Sequence, residues 1–208
     1  MPGDSDDILT PDTSHLAPPV TFRPLAEADL PLVHAWLNNP EVARWYGLDL
    51  ENHTRPTLEQ VVEHYMPRIL RQRPTLCFLI MSGDRPAGFI QAYRVGDYQE
   101  YARAVDYDDD AWAIDLFIGE DDCRGGGFGS RALGLFLEAE VFSRPGVDTA
   151  VISPNPDNKR AIRAYEKAGF RHLKTVWMPP EKAYEYVMAL EKGQGSRVKG
   201  QGNITPDS

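Results

Sequence analysis

Residues 111–132 read AWAIDLFIGEDDCRGGGFGSRA, and the parsing of this stretch decides the fold. Ala111 to Ile118 is an apolar run of strand length, interrupted by one carboxylate, Asp115. Runs of this kind suit a strand buried on both faces. From Gly129 to Phe142 the spacing turns helical, with Leu133, Phe136, Leu137 and Val141 on one face. Between strand and helix lies Cys123-Arg124-Gly125-Gly126-Gly127-Phe128-Gly129-Ser130. Glycines tolerate positive φ and carry no Cβ, so several N–H groups can converge on one concavity. The helix that follows adds its positive N-terminal end. The unit strand, glycine loop, helix is therefore an anion site of the size of a pyrophosphate.

Three phosphate motifs compete for this loop, beside a plain flexible glycine turn. A Walker A loop ends in Gly-Lys-Ser/Thr, whereas this one has Gly129-Ser130-Arg131. A dinucleotide fingerprint is formally present at Gly127, Gly129 and Ala132. Its glycines should follow the strand at once, but Gly119 to Gly126 intervene and no N-terminal βαβ unit precedes. The acyl-CoA loop, R/Q-x-x-G-x-G/A, is matched by Arg124, Gly127 and Gly129, with Arg124 able to add a charged contact.

Outward from this stretch the chain alternates. Val20–Arg23 reads as a strand and Asp29–Leu37 as a helix, with Leu30, Val33, Trp36 and Leu37 on one face. Thr57–Arg71 reads as a helix opened by the capping box Thr57/Gln60. Leu76–Met81 and Ala87–Tyr93 form a hairpin about Ser82-Gly83-Asp84. Further on, Thr149–Ser153 is a strand, and Asn158–Ala168 is a helix stopped by Gly169. Arg171–Trp177 and Ala183–Leu190 are closing strands. Hairpins at both ends around a central β-α-β unit imply an α/β fold, a mixed sheet covered by helices. Residues 1–19 and 191–208 lack apolar periodicity and read as flexible tails around one domain, 20–190.

Residues 153–170 read SPNPDNKRAIRAYEKAGF. They resemble the second coenzyme A motif of the GNAT acetyltransferase superfamily, N-x-x-A-x-x-x-Y-x-x-x-G-F, through Asn158, Ala161, Tyr165, Gly169 and Phe170. Residues 20–48, Arg55-Pro-Thr-Leu, Tyr65-Met-Pro and Gln91-Ala-Tyr93 are similar to aminoglycoside 6′-N-acetyltransferases. Siderophore-pathway acyltransferases share the segment RAIRAYEKAGF. The resemblance implies a single GNAT domain with a mixed, twisted sheet and acetyl-CoA as co-substrate. It further implies acetyl transfer to a primary amine, at best the 6′-amine of an aminoglycoside, which would give antibiotic resistance. A siderophore-precursor or other small-amine acyltransferase, and a non-catalytic acyl-CoA sensing module, remain open. In the aminoglycoside enzymes an acidic residue often ends the strand before the second motif, whereas Ser153 stands there in this chain.

The resemblance places Asp115 at the acceptor site as the amine-binding carboxylate, which takes a proton directly or through water. A carboxylate inside an apolar strand is costly unless paired or functional, so a structural ion pair is the competing explanation. Tyr165, a phenol with an ordinary pKa near 10, becomes the acid for the departing thiolate; without the motif it reads as a core tyrosine. The expected cofactor contacts are Leu116, Phe117 and Ile118 through their backbone, the loop Arg124, Gly125, Gly126, Gly127, Phe128, Gly129 and Ser130, and Asn155, Asn158, Ala161 and Tyr165 on the second motif. Asn158 doubles as a helix N-cap. The expected acceptor contacts are Trp45, Tyr46, Gln91, Tyr93, Asp110, Trp112, Asp115 and Ser153. The acidic run Asp97, Glu100, Asp106, Asp108, Asp109, Asp110 reads either as acceptor lining or as a solvated loop.

Composition narrows the partners. A formal charge of −9, from 31 acidic and 22 basic residues, disfavours nucleic acid and permits a cationic small molecule. Two cysteines make no disulfide framework, no Cys/His spacing marks a metal site, and Cys123 has no partner base for a ping-pong route. No apolar run reaches membrane-spanning length and the N-terminus is acidic, so the expected setting is the cytoplasm, as a monomer or homodimer.

Overall fold

The order of strands around the central β-α-β unit creates the site. In the computed structural model, which describes residues 18–48, 55–107, 110–178 and 183–194, the strands form a 7-stranded sheet. They are β1 (Val20–Pro24), β2 (Leu76–Ser82), β3 (Arg85–Arg94), β4 (Trp112–Ile118), β5 (Thr149–Ile152), β6 (Arg171–Met178) and β7 (Ala183–Glu191). Their order is β1-β2-β3-β4-β5-β7-β6. Antiparallel pairs run from β1 to β4, and β5, β7 and β6 are likewise antiparallel. The parallel pair is β4–β5, joined through α5 (Phe128–Phe136), as a crossover connection requires. The tails expected at 1–19 and 191–208 fall largely outside the described residues.

Alternation along the strands separates two faces. Ile80, Ile90, Ala92 and Ile114 pack with Leu133 and Phe136 of α5 and Ile162 of α6 (Lys159–Lys167). On the other face, Leu79, Phe89 and Phe117 pack with α1 (Leu30–Leu37) and with Val61 and Tyr65 of α3 (Leu58–Ile69). The short α2 (Pro40–Ala43) joins this layer through Val42. The capping box at Thr57/Gln60 is formed, with hydrogen bonds of 2.9 and 3.3 Å. Gly119, at the end of β4, is a packing requirement: a Cβ there would lie 2.3 Å from the Trp36 ring. Trp36 in turn donates its indole N–H to Glu120 Oε1 at 2.8 Å.

Two segments depart from the sequence reading. The helix expected over Gly129–Phe142 is α-helical to Phe136 and then widens into a π turn over Leu137–Val141. Part of the acidic run folds as α4 (Gln99–Val105), whose Val105 is fully buried. Val105, Tyr101 and Ala102 pack with Val151, Met178 and Val187 in a third cluster. The apolar residues of this segment share a helical face, and counting only its acids concealed that spacing.

The decisive feature is a gap. β4 runs to Ile118, yet its pairing with β5 covers only Trp112↔Ala150 and Ala113↔Val151. Beyond Ala113 the two strands part, leaving the edge of β4 from Ile114 to Ile118 without a ladder partner on that side among the described residues. Unpaired strand edges present backbone N–H and C=O groups ready to bind an extended chain.

Candidate functional site

A cleft of about 1160 Å³ is lined by Ile114–Ile118 from β4 and by Ile152–Asn155 at the end of β5. On one flank lies the glycine loop. Gly125, Gly126 and Gly127 have φ of 102°, 55° and 85°, which L side chains rarely adopt. Among the described residues, the amides of Gly125, Gly126, Gly127, Gly129 and Ser130 donate to no backbone carbonyl. Gly129 and Ser130 open α5, so these N–H groups add to the positive end of a helix. The arrangement can hold a diphosphate by backbone alone.

The second motif closes the same flank. Asn158 caps α6, its Oδ1 accepting from Ala161 N at 3.1 Å, and Asn155 Oδ1 accepts from Asp157 N at 2.9 Å. Ser130 Oγ donates to Ala164 O at 2.9 Å and fastens α5 to α6. Arg160, Arg163 and Lys167 of α6 also line the cleft. Sequence reading missed them, although their i, i+3, i+7 spacing places them on one helical face.

Arg124 lines the cleft as expected, but its guanidinium is also engaged within the chain. Its Nε donates to Ile118 O at 2.9 Å and Nη2 to Gly119 O at 2.6 Å, while Nη1 pairs with Asp121 at 2.6 Å. The guanidinium thus ties the loop to the end of β4, and its charge is already matched. Phe128 does not line the cleft: it is 9% exposed in the core, and its amide donates to Gly125 O.

The opposite flank is built from side chains. Asp115 is half-buried and lines the cleft, on the side where the resemblance implies the acceptor site. Its cross-strand partner is Gln91, whose Nε2 donates to Asp115 Oδ2 at 2.8 Å. Gln91 is 9% exposed, so this bond holds the carboxylate in one orientation from within the sheet. Tyr93 lies next along β3 on the same face, flanked by the rings of Tyr98 at 4.6 Å and Tyr101 at 6.1 Å. Burial first, and then the charges of Asp115 and Glu185 among others, push the Tyr93 phenol well above its usual pKa. Ser153 shares a 2.9 Å hydrogen bond with the hydroxyl of Tyr101. Trp45 and Tyr46 line the cleft, and the Tyr46 ring also sits 4.8 Å from Phe117 in the core. His64 and Arg68 of α3, Glu100 of α4 and Glu185 of β7 also line the cleft.

Two expected acceptor contacts lie elsewhere. Trp112 sits on the other face of β4, packed on the α5 layer with the Arg144 guanidinium 4.8 Å from its ring centre. Asp110 pairs with Arg94 outside the cleft lining. Asp108 and Asp109 lie outside the described residues. Tyr98, Tyr101 and Glu185 were missed because each reaches the cleft only through tertiary packing.

Tyr165 joins the two flanks. It lines the cleft from α6, and burial, then the charge of Asp115, raises its phenol above the ordinary value of 10. A raised pKa keeps the proton on at neutral pH but makes the phenol a weaker acid. Burial likewise pushes the Cys77 thiol up to about 12.

The acetyltransferase (GNAT) domain family matches residues 26–178. An aminoglycoside N(6′)-acetyltransferase type 1 of Klebsiella pneumoniae is 31% identical over 178 residues, 86% of this chain and 87% of that protein. A kanamycin resistance protein of Rhizobium radiobacter is 33% identical over 84 residues, covering 40% of this chain and 77% of its own. Among solved structures, aminoglycoside acetyltransferase AAC(6′)-Ib in complex with coenzyme A and kanamycin superposes with a TM-score of 0.73 at 30% identity. That match covers 84% of this chain and 95% of the other.

Proposed function

The chain belongs to the GNAT acetyltransferases, and from that premise we propose that it transfers the acetyl group of acetyl-CoA to the 6′-amine of an aminoglycoside. The observation that carries this reading is the polarity of the cleft. A cradle of amides that donate to no backbone carbonyl among the described residues lies on one side of the β4–β5 gap, and carboxylates lie on the other. A polyanionic acyl carrier and a polycationic acceptor need opposite surroundings yet must meet at one carbonyl carbon.

In this reading the pyrophosphate rests on the amides of Gly125–Gly127, Gly129 and Ser130. The pantetheine arm pairs with the open edge of β4 at Leu116–Ile118 and passes Asn155, Asn158 and Ala161. Asp115, oriented by Gln91, binds the acceptor ammonium and removes a proton directly or through water. The freed lone pair attacks the thioester carbon, the C–S bond breaks, and the sulfur takes the electron pair. Tyr165 offers that sulfur a hydrogen bond and then its proton, and the second proton, shed by the acylated nitrogen as the adduct collapses, returns to the phenolate through water. Trp45, Tyr46, Tyr93 and Ser153 shape the acceptor pocket.

This activity would inactivate the drug and confer resistance, in a setting we take to be the cytoplasm; no described helix is long and apolar enough to cross a membrane. The test is release of free thiol from acetyl-CoA on adding kanamycin, with mass spectrometry of the drug. One added acetyl group supports the reading, and thiol release without drug modification contradicts it.

A further inference from the structure

Ser153 leaves the end of β5 neutral, with its hydroxyl tied to Tyr101 at 2.9 Å. Negative charge reaches the same part of the cleft from the neighbouring strand. Glu185 of β7 lines the cleft and pairs in register with Val176 of β6. Val176 packs in the cluster that also holds Tyr93, Tyr101 and Val151, which puts Glu185 on the face of the sheet that Asp115 occupies. The two carboxylates stand on strands separated by β5, on either side of the line where β4 and β5 part. Tyr93 lies on the same sheet face, and its ring supplies an apolar surface in the same lining. Glu185 is half-buried and carried by a strand, whereas Glu100, another carboxylate of the lining, is exposed on a short helix.

We propose that Glu185 is a specificity-determining residue, holding a second ammonium group of the acceptor while the reacting amine sits at Asp115. Two fixed carboxylates on one sheet face, set apart across the gap, recognise a rigid molecule with two separated cations. A monoamine can satisfy only one of them. The enzyme therefore selects polyamino acceptors by binding, and Glu185 takes no part in the proton transfers. A half-buried charge-assisted hydrogen bond is worth about tenfold or more in affinity.

This rests on the acetyl-transfer reading above, and the experiment separates the two. Initial rates are measured for wild type and Glu185→Gln with kanamycin, which carries several amines, and with 6-amino-6-deoxyglucose, which carries one. The replacement is nearly isosteric, and an unchanged thermal midpoint confirms that it folds. For Glu185→Gln the expected result is a KM for kanamycin raised about tenfold at unchanged kcat, with the monoamine's KM altered less than twofold. Raising salt should weaken kanamycin binding more steeply in wild type than in the variant. Equal changes for both acceptors, a loss confined to kcat, or no change at all overturns the role of Glu185 while leaving acetyl transfer intact. A wild-type enzyme inert toward kanamycin overturns both.

Discussion

The two flanks of the cleft are made by different means. The glycine-loop flank is backbone: its donors are main-chain amides, and three consecutive positive-φ glycines aim them. The carboxylate flank is side chains, drawn from β3, β4, β7, α3 and α4. A backbone cradle is specified by a few adjacent residues and, in the proposed reading, recognises what every acyl-CoA has in common, its diphosphate. A side-chain pocket gathers residues distant in sequence and can be altered one substitution at a time. A fold that keeps its carrier and changes its acceptor would divide the work in this way.

The comparison yields outcomes that should separate by flank. The largest is expected for Asp115→Asn, which keeps the shape and the contact with Gln91 but removes the proton acceptor. Turnover should fall by about 10²- to 10³-fold, with the KM for acetyl-CoA within twofold of wild type. Steady-state kinetics with both substrates varied checks this, and a shared loss of acetyl-CoA affinity would break the division.

On the other flank, Gly127→Val forces a β-branched residue into φ of 85° at the N-cap of α5. A Cβ there meets nothing within 4 Å, so the cost is conformational rather than steric. About 1–2 kcal/mol of backbone strain should displace the amides and raise the KM for acetyl-CoA about tenfold, leaving acceptor affinity unchanged. Calorimetric titration with coenzyme A measures the effect directly.

The smallest effect concerns stability. Burial first, then the charges of Arg68 and Arg73, lower the pKa of His64 from 6.5 to about 4. Below pH 6.5 the unfolded chain binds a proton that the folded chain refuses, so stability falls as pH drops from 6.5 towards 4. Thermal midpoints across that window should decline in wild type, and the decline should be shallower in His64→Gln. Parallel declines would show that His64 is not the titrating group.

The same contrast explains what could be read in the sequence. The glycine loop, the Asn158 cap and the β4-α5-β5 unit were legible because each is encoded by neighbours: positive-φ glycines, a cap three residues from its target, an apolar strand before an amphipathic helix. Asp115 was legible because it interrupts an apolar run. Arg124 was legible as a cation near the loop but not as a brace, because its acceptors are carbonyls at the end of β4. Trp112 reads from its aromatic side chain either as an apolar wall for the acceptor or as core, and the strand's alternation puts it in the core layer on the face opposite Asp115. Glu185 and Tyr101 gave no local signal: one depends on β7 joining β5, the other on a helix within an acidic run.

The central claim is that this cleft brings an acyl-CoA thioester to a 6′-amine. It is tested most directly by thiol release from acetyl-CoA with neomycin and paromomycin side by side, since the two differ in an amine or a hydroxyl at the 6′ position. The account expects release with neomycin and none above background with paromomycin. Equal release with both would place the reacting amine elsewhere on the drug and contradict it.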